Sequence, residues 1–215
     1  MPPRRRPASP TVVLLVRHGA TPTTGTVLPG RAAGLHLSDQ GTAQAEHAAA
    51  RIAALGTVRS VYASPLERAR DTAAPIAKAC RLRTRVRAGL NECDFGRWTG
   101  RKLAELRKLP EWSTVQHRPS AFRFPDGESF AEMQHRMVTT LAGIAADHPG
   151  ETVVAVSHAD PIKAAVADAV GTHLDLFQRI VVSTCSVSAL AYTPGGVVAL
   201  SVNNTGDDLA RLVVS

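Results

Sequence analysis

The chain has 215 residues, of which 44% are hydrophobic and 20% are charged, and its formal net charge is +7. This length suits one sizeable hydrophobic core and is short for two, so we expect a single domain. The composition is that of a soluble globular protein. No apolar stretch approaches the roughly 20 residues that span a bilayer, so we expect no membrane partner.

The first ten residues, MPPRRRPASP, contain four prolines and three arginines. Such a segment can bury little apolar surface, so we predict a disordered basic arm over residues 1–10 and one catalytic domain over 11–215. The arm lacks the apolar stretch of a secretory signal. Cys80, Cys93 and Cys185 show no metal-type spacing and leave one thiol over if two are paired. We therefore predict reduced thiols and a cytoplasmic location.

The positive charge raises the question of a nucleic-acid partner. Without Arg4, Arg5 and Arg6 the net charge would be +4, and the other arginines are scattered instead of forming a basic stripe. We expect no nucleic-acid partner, since a small anionic substrate accounts for the charge equally well. The alternative is nucleic-acid binding through the arm, which predicts salt-sensitive binding that is lost when residues 1–10 are removed.

Strand and helix patterns alternate along the chain. Ser38 and Ser129 are N-cap candidates, Gly56 and Gly150 follow predicted helix ends, and Pro65 suits a first helical position. The predicted elements, in chain order, are a strand over 11–16, a helix over 40–55, a strand over 60–63, a helix beginning near Pro65 with a kink at Pro75, an irregular aromatic-rich segment over 91–129 with short helices at 102–107 and near Trp112, a helix over 130–147, a strand and helix over 151–171, and a hairpin over 186–204.

This order predicts an α/β fold: a single-domain three-layer sandwich with a mostly parallel central sheet and helices on both faces. The C-terminal hairpin is expected to run antiparallel. Its outer edge offers a surface for pairing with a second copy, so a homodimer is one expected partner.

Three segments with chemically useful side chains fall just beyond the C-terminal ends of predicted strands: Arg17-His18, Ser64 to Arg68, and Ser157-His158. Parallel sheets bind ligands at this edge, so we expect the three segments to meet in one pocket. A neutral imidazole beside a guanidinium is a nucleophile beside an anion clamp, and it indicates phosphoryl transfer on a histidine. Taken singly, each residue has a simpler interpretation as a loop residue, a surface charge or a core histidine.

Five sequence blocks together resemble the histidine phosphatase superfamily, in its phosphoglycerate mutase-like branch. They occur in the family's order between Val12 and about Val170, and they read LVRHGATPTT, GRAAGLHLSDQGTAQA, YASPLERARDTA, LNECDFGRWTG and VVAVSHADPIKA. The resemblance therefore covers most of the chain. Several ordered blocks are a far more specific signal than Arg-His-Gly alone.

The resemblance implies catalytic roles for five positions. His18 would attack phosphorus and carry a phosphohistidine, while Arg17, Arg68 and His158 would surround the transferred group. Glu92 would protonate the leaving oxygen, and for that role burial should raise its pKa. Two arginines and one charged histidine would stabilise the transition state, so the scheme needs no metal and no cofactor.

Three further positions are candidates for substrate binding. Thr24 stands where many members of the family have asparagine, and its hydroxyl can donate only one hydrogen bond. Ala159 replaces the glycine that is usual after the second histidine. Arg31 occupies a position that faces the substrate in many relatives. These departures affect the identity of the substrate, a small anionic phosphorylated molecule, more than the reaction class.

Phosphatases and mutases of this kind differ in whether water or a second hydroxyl meets the phosphohistidine. In the family that this sequence resembles, the mutases have longer chains, and the segment after the glutamate closes over the substrate. Only 35 residues lie between Glu92 and Glu128 here, which favours a phosphatase acting on a small organic phosphomonoester. Arg101, Lys102, Arg118 and Arg123 make this segment a candidate basic cap. The alternatives are a phosphoglycerate mutase-like phosphomutase and a non-catalytic domain that binds phosphorylated ligands.

Overall fold

Short runs rich in valine and alanine build the strands of a central sheet. The computed structural model describes residues 9–206, so the expected arm lies almost wholly outside the described residues. The strands are β1 (Thr11–Arg17), β2 (Val58–Ala63), β3 (Thr84–Val86), β4 (Thr152–Ser157), β5 (Val187–Thr193) and β6 (Gly196–Asn204).

The sheet has the strand order β3-β2-β4-β1-β5-β6. The first four strands of that order run parallel, whereas β5 is antiparallel to β1 and β6 is antiparallel to β5. The predicted mixed sheet, mostly parallel with an antiparallel hairpin, is therefore confirmed. Because β2, β4 and β1 are parallel neighbours, their C-terminal ends lie side by side.

Six helices connect and cover these strands in the described part of the chain. Their bounds are α1 (Asp39–Ala53), α2 (Glu67–Ala79), α3 (Leu103–Leu106), α4 (Glu111–His117), α5 (Phe130–Asp147) and α6 (Ala159–Ala169). Ser38 caps α1 by accepting a hydrogen bond from Gly41 N at 3.1 Å. Ser129 and Glu132 form a capping box at the start of α5, which fixes that helix at the predicted residue.

Helices pack on both faces of the sheet because successive side chains of a strand point to opposite sides. On β1, Val13 and Leu15 pack in a core with residues of α5 and α6. The alternate residues Leu14 and Val16 pack in a second core with residues of α1 and α2. The chain thus forms the expected three-layer sandwich.

One local expectation differs from the structure. α2 begins at Glu67, two residues after Pro65, because the Ser64 hydroxyl accepts a hydrogen bond from Leu66 N at 3.3 Å and holds a turn there. Pro75 lies inside the helix, and a kink at this residue stays a prediction. β3 was not predicted, since three residues are too few for a period-two pattern to be recognised.

The aromatic-rich segment between β3 and α5 has a core of its own. Phe95, Phe122, Phe124 and Phe130 pack in one buried cluster, with ring centroids as close as 4.8 Å. This cluster holds the short helices α3 and α4 in place. The segment is therefore a packed part of the domain.

The outer strand β6 leaves Val198, Leu200 and Val202 exposed. The homodimer stays a prediction, and it would pair this exposed edge strand with that of a second copy. Between residues 9 and 206, no helix combines the length and apolar character needed to cross a membrane.

Candidate active site

The C-terminal ends of the four parallel strands carry five side chains to one edge of the sheet. Arg17 ends β1 and His18 follows it, while His158 follows β4. Arg68 lies in the first turn of α2, after β2, and Glu92 follows β3 and a short 3₁₀ turn. The His18 and His158 rings have centroids 5.2 Å apart. The three segments expected to meet do so, and Glu92 joins them from the fourth strand.

The hydrogen bonds of His18 define its tautomer. Nδ1 lies 2.8 Å from Gly19 O, and because a carbonyl can only accept, Nδ1 carries the hydrogen. Nε2 then keeps its lone pair and accepts a hydrogen bond from Arg68 Nε at 3.3 Å. Burial, reinforced by the positive Arg68 and Arg17, lowers the pKa of His18 to about 3. The imidazole is therefore neutral at physiological pH and presents a nucleophilic nitrogen.

The turn after β1 requires glycine at position 19 because helix α1 packs directly on its backbone. A Cβ on Gly19 would lie 2.5 Å from Gly41 O, and a Cβ on Gly41 would lie 1.9 Å from Ala20 O. Gly19 N also donates to Thr72 Oγ1 of α2 at 3.0 Å. These contacts fix the carbonyl that orients the His18 ring.

The two arginines are anchored to the protein through only part of each guanidinium. Arg17 Nη1 donates to Val182 O at 2.7 Å, and Arg68 Nη2 donates to Gly30 O at 2.7 Å. Arg17 Nε and Arg68 Nη1 are buried and have no hydrogen-bond partner among residues 9–206. A buried donor without an acceptor is costly. Each arginine therefore has one buried nitrogen that could donate a hydrogen bond to an acceptor entering the site.

Ser64 connects His158 to Asn91. The Ser64 hydroxyl donates its one hydrogen to Asn91 Oδ1 at 2.9 Å, so it accepts from His158 Nε2, also at 2.9 Å. His158 Nδ1 is buried and unpartnered within the described residues. Burial, followed by the nearby His18 and the two arginines, lowers the pKa of His158 well below its usual value. This histidine was expected to be charged, but without an anion its environment favours the neutral ring.

Glu92 is a buried carboxyl with a fixed backbone. Its Oε1 accepts from Cys93 N at 2.9 Å, and its carbonyl accepts from Arg31 Nε at 2.9 Å and from Arg136 Nη2 at 3.3 Å. Burial, followed by the carboxylate of Asp160, raises the pKa of Glu92 to about 7. The side chain can therefore hold or release a proton near neutral pH.

A cavity of about 210 Å³ opens above these groups. Arg17, His18 and Glu92 form its floor, and its walls include Thr21, Thr24, Leu28, Phe95, Leu103 and Asp160. A larger hollow of about 590 Å³ lies between α1 and residues 183–185, but none of the five side chains lines it. The smaller cavity is the one associated with chemically active groups.

The three predicted substrate-binding residues have different positions. Thr24 and Ala159 line the cavity. The Thr24 hydroxyl accepts from Thr21 N at 2.8 Å. Arg31 does not line the cavity, because its guanidinium binds the Glu92 carbonyl and Glu128 Oε2, the latter at 2.9 Å. Its observed contacts fix the Glu92 segment.

None of the four basic residues expected to cap the cavity lines it, although Arg101 and Lys102 directly precede the wall residue Leu103. Arg118 is exposed, and Arg123 is exposed and bonded to Glu132 on α5. Neither side chain lines the cavity. The cause is the aromatic cluster, which directs this segment's apolar residues inward and its arginines to solvent.

Three residues of the site were not singled out from the sequence. Asn91 and Asp160 each lie within two residues of a predicted catalytic residue, and this proximity was the available signal. Arg136 lies on α5 and binds Glu128 through two contacts of 2.9 Å, as well as the carbonyls of this loop. No local pattern distinguishes it from other helical arginines.

The model of the histidine phosphatase superfamily (branch 1) matches residues 13–205. Bifunctional protein Rv2228c of Mycobacterium tuberculosis is 34% identical over 206 residues, which cover 92% of this chain and 55% of that protein. The chain thus spans about half the length of this relative.

A second relative matches over nearly its whole length. Phosphoserine phosphatase 1 of Hydrogenobacter thermophilus is 30% identical over 198 residues, covering 90% of this chain and 92% of that protein. Among solved structures, a phosphoserine phosphatase mutant from Entamoeba histolytica in complex with phosphoserine aligns with a TM-score of 0.82 and 25% identity, covering 91% of this chain and 98% of that one.

Proposed function

The chain belongs to the histidine phosphatase superfamily, and from this premise we propose that it hydrolyses a small organic phosphomonoester through a phosphohistidine on His18. The observation that carries the proposal is a set of buried nitrogens without partners around His18. Arg17 Nε, Arg68 Nη1 and His158 Nδ1 have no hydrogen-bond partner in the described chain, and of these three residues Arg17 lines the cavity. A phosphoryl group supplies several acceptor oxygens together, which is what the two arginine donors lack.

In the first step, His18 Nε2 attacks phosphorus and the bond to the ester oxygen breaks. Glu92 gives its proton to that oxygen, so the alcohol leaves neutral. Nδ1 of His18 keeps its hydrogen throughout and continues to donate it to Gly19 O. The arginines stabilise the charge on the equatorial oxygens, and we propose that this makes a metal ion unnecessary.

In the second step, the Glu92 carboxylate takes a proton from a water molecule as that water attacks the phosphohistidine. The nitrogen–phosphorus bond breaks, inorganic phosphate forms, and His18 regains its lone pair. Glu92 is again protonated, so the cycle consumes only ester and water.

His158 requires a proton for its part in this scheme. In the neutral ring, Nε2 carries the hydrogen that is donated to Ser64, so Nδ1 carries a lone pair. This lone pair would repel the oxygens of a bound phosphate. Two negative charges arriving at the cavity floor favour the charged form of the ring, because they oppose the effect of its cationic neighbours. We therefore propose that phosphate binding is accompanied by protonation of His158 Nδ1.

Two alternatives remain for the same site. A phosphomutase would use a second hydroxyl instead of water and so would need room for a second substrate group. A non-catalytic domain would bind phosphorylated ligands with the same arginines, yet it would not require a nucleophile and a proton donor, both of which are present. The cytoplasmic location stays a prediction, with Cys80, Cys93 and Cys185 as free thiols in the described chain.

The test is to trap the intermediate. Incubation with a ³²P-labelled phosphomonoester, followed by an alkaline denaturing quench that preserves phosphohistidine, should label the wild-type protein and not His18→Ala. His117→Ala removes an exposed histidine of α4 and should label normally. We expect His18→Ala to lower kcat by at least about 10³-fold. Absence of label and of turnover across a broad substrate panel would exclude the enzyme and leave the binding domain.

A further inference from the structure

The cavity has a charged floor, but its walls contain a single charged group. The wall residues are the threonines at 21 and 24, small or apolar side chains such as Leu28, Phe95 and Leu103, and Asp160. The part of a substrate that extends away from the phosphoryl group therefore meets apolar surface, two hydroxyls and one carboxylate. No lysine or arginine of the described chain lines these walls apart from Arg17 at the floor.

Asp160 lies in the first turn of α6, two residues after His158, and its side chain is only 19% exposed. Lys163 Nζ lies 3.4 Å from Asp160 Oδ1 and 3.1 Å from Gln178 Oε1, so this ammonium is shared between two acceptors. Lys163 does not line the cavity. Because Asp160 lines the cavity and its ion-pair partner Lys163 does not, the carboxylate is the nearer of the two charges to whatever occupies the cavity, in agreement with its effect on the pKa of Glu92.

The nearby arginines outside the floor are occupied by the protein. Arg31 Nη2 lies 2.9 Å from Glu128 Oε2, and Arg136 Nε lies 2.9 Å from Glu128 Oε1. Both arginines also bind the Glu92 carbonyl. Neither arginine is therefore free to bind a second anionic group on a substrate, and within the lining of the cavity that group would face Asp160.

We propose that Asp160 is a specificity-determining residue, which excludes phosphomonoesters that carry a carboxylate or second phosphate near the ester and favours those with an ammonium or hydroxyl donor there. The substrate class is a small phosphorylated alcohol or amino alcohol. The cavity volume of about 210 Å³ agrees, since it is below the roughly 300–1,000 Å³ of most ligand pockets. This inference rests on the proposed function, and it disfavours a bisphosphate-using mutase.

Two pairs of substrates test the charge preference because each pair differs mainly by one carboxylate. Glycerol 3-phosphate is compared with 3-phosphoglycerate, and phosphoethanolamine with phosphoserine. We expect wild-type kcat/KM to favour the carboxylate-free member of each pair by about tenfold or more, since like charges at a partly desolvated site are disfavoured. Asp160→Asn keeps the shape of the side chain and should reduce that ratio severalfold.

Asp168→Asn is the matched control, because it removes one negative charge from an exposed position on the same helix. It should leave both ratios unchanged. Equal rates for the two members of each pair in the wild type would overturn the inference. A ratio that Asp160→Asn leaves intact, or that Asp168→Asn lowers equally, would overturn it as well.

A binding experiment separates this inference from the proposed function. Dissociation constants of the four compounds are measured by calorimetry with His18→Ala and with the double variant His18→Ala/Asp160→Asn, neither of which needs to turn over. Tighter binding of the carboxylate-free compounds, lost in the double variant, supports the inference even if the wild type proves inactive. Equal affinities overturn it even if the wild type is an active phosphatase.

Discussion

Replacing Glu92 by glutamine should make the protein less sensitive to alkaline pH. Burial raises the pKa of Glu92 to about 7 from an ordinary value of 4.5. The folded state therefore binds this proton more tightly than the unfolded state, and the stability that the proton contributes is lost as pH rises through 7. Between pH 5 and pH 8 the loss integrates to about 2.5 kcal/mol. Glutamine cannot ionise, so the variant avoids this loss.

The assay is urea unfolding of wild type and Glu92→Gln at pH 5 and pH 8. The difference in free energy of unfolding between the two proteins should shift by about 2.5 kcal/mol in favour of the variant at pH 8, which is a midpoint shift of about 1 M urea. Titrating groups that do not interact with Glu92, including His18, cancel because both proteins contain them. Glu46→Gln, at an exposed position on α1, is the control and should show no such shift. A pH-independent difference for Glu92→Gln would refute the raised pKa.

Two further predictions concern activity. The kcat/KM of the wild type should fall above pH 7, because Glu92 of the free enzyme loses its proton there while His18, with a pKa of about 3, stays neutral. A pH–rate profile checks this, and a kcat/KM that rises through pH 8 would contradict it. Ser64→Ala should raise KM about tenfold and lower kcat less, because it releases the His158 ring from its 2.9 Å contact. Ser157→Ala, which removes a buried hydroxyl bonded only to Leu90 O, is its control; steady-state kinetics with equal effects for both serines would assign Ser64 a structural role alone.

The parts of the fold that could be predicted from the sequence are those set by nearby residues. The bounds of α5 follow from Ser129, Glu132 and the Pro149-Gly150 pair, all within a few residues of the helix ends. The meeting of His18, Arg68 and His158 follows from a general property of parallel strands, whose C-terminal ends share an edge. Neither inference requires knowledge of distant contacts.

Long-range packing decides what could not be predicted. The predicted elements alone do not place Glu92 at the site, and only the family resemblance indicates it, because Glu92 reaches the site through the pairing of β3 with β2 and a three-residue strand carries too little pattern to be recognised. Arg118 and Arg123 turn away from the cavity because the aromatic cluster fixes the segment that carries them. Segment charge alone favoured a basic cap, but side-chain direction depends on a core assembled from residues far apart in sequence.

The arginines of this site illustrate why charge in a sequence does not identify ligand-binding residues. Arg31 and Arg136 lie near the catalytic groups, yet Glu128 and the Glu92 carbonyl satisfy them. Arg17 and Arg68 each donate to one backbone carbonyl, and Arg68 also donates to His18, yet each keeps another buried nitrogen without a partner in the described chain. What separates the two pairs is the donors left without an acceptor: Glu128, 36 residues after Glu92, accepts from Arg31 and Arg136 but from neither Arg17 nor Arg68. Removal of Glu128 should therefore release cations towards the cavity and weaken its selection against carboxylates.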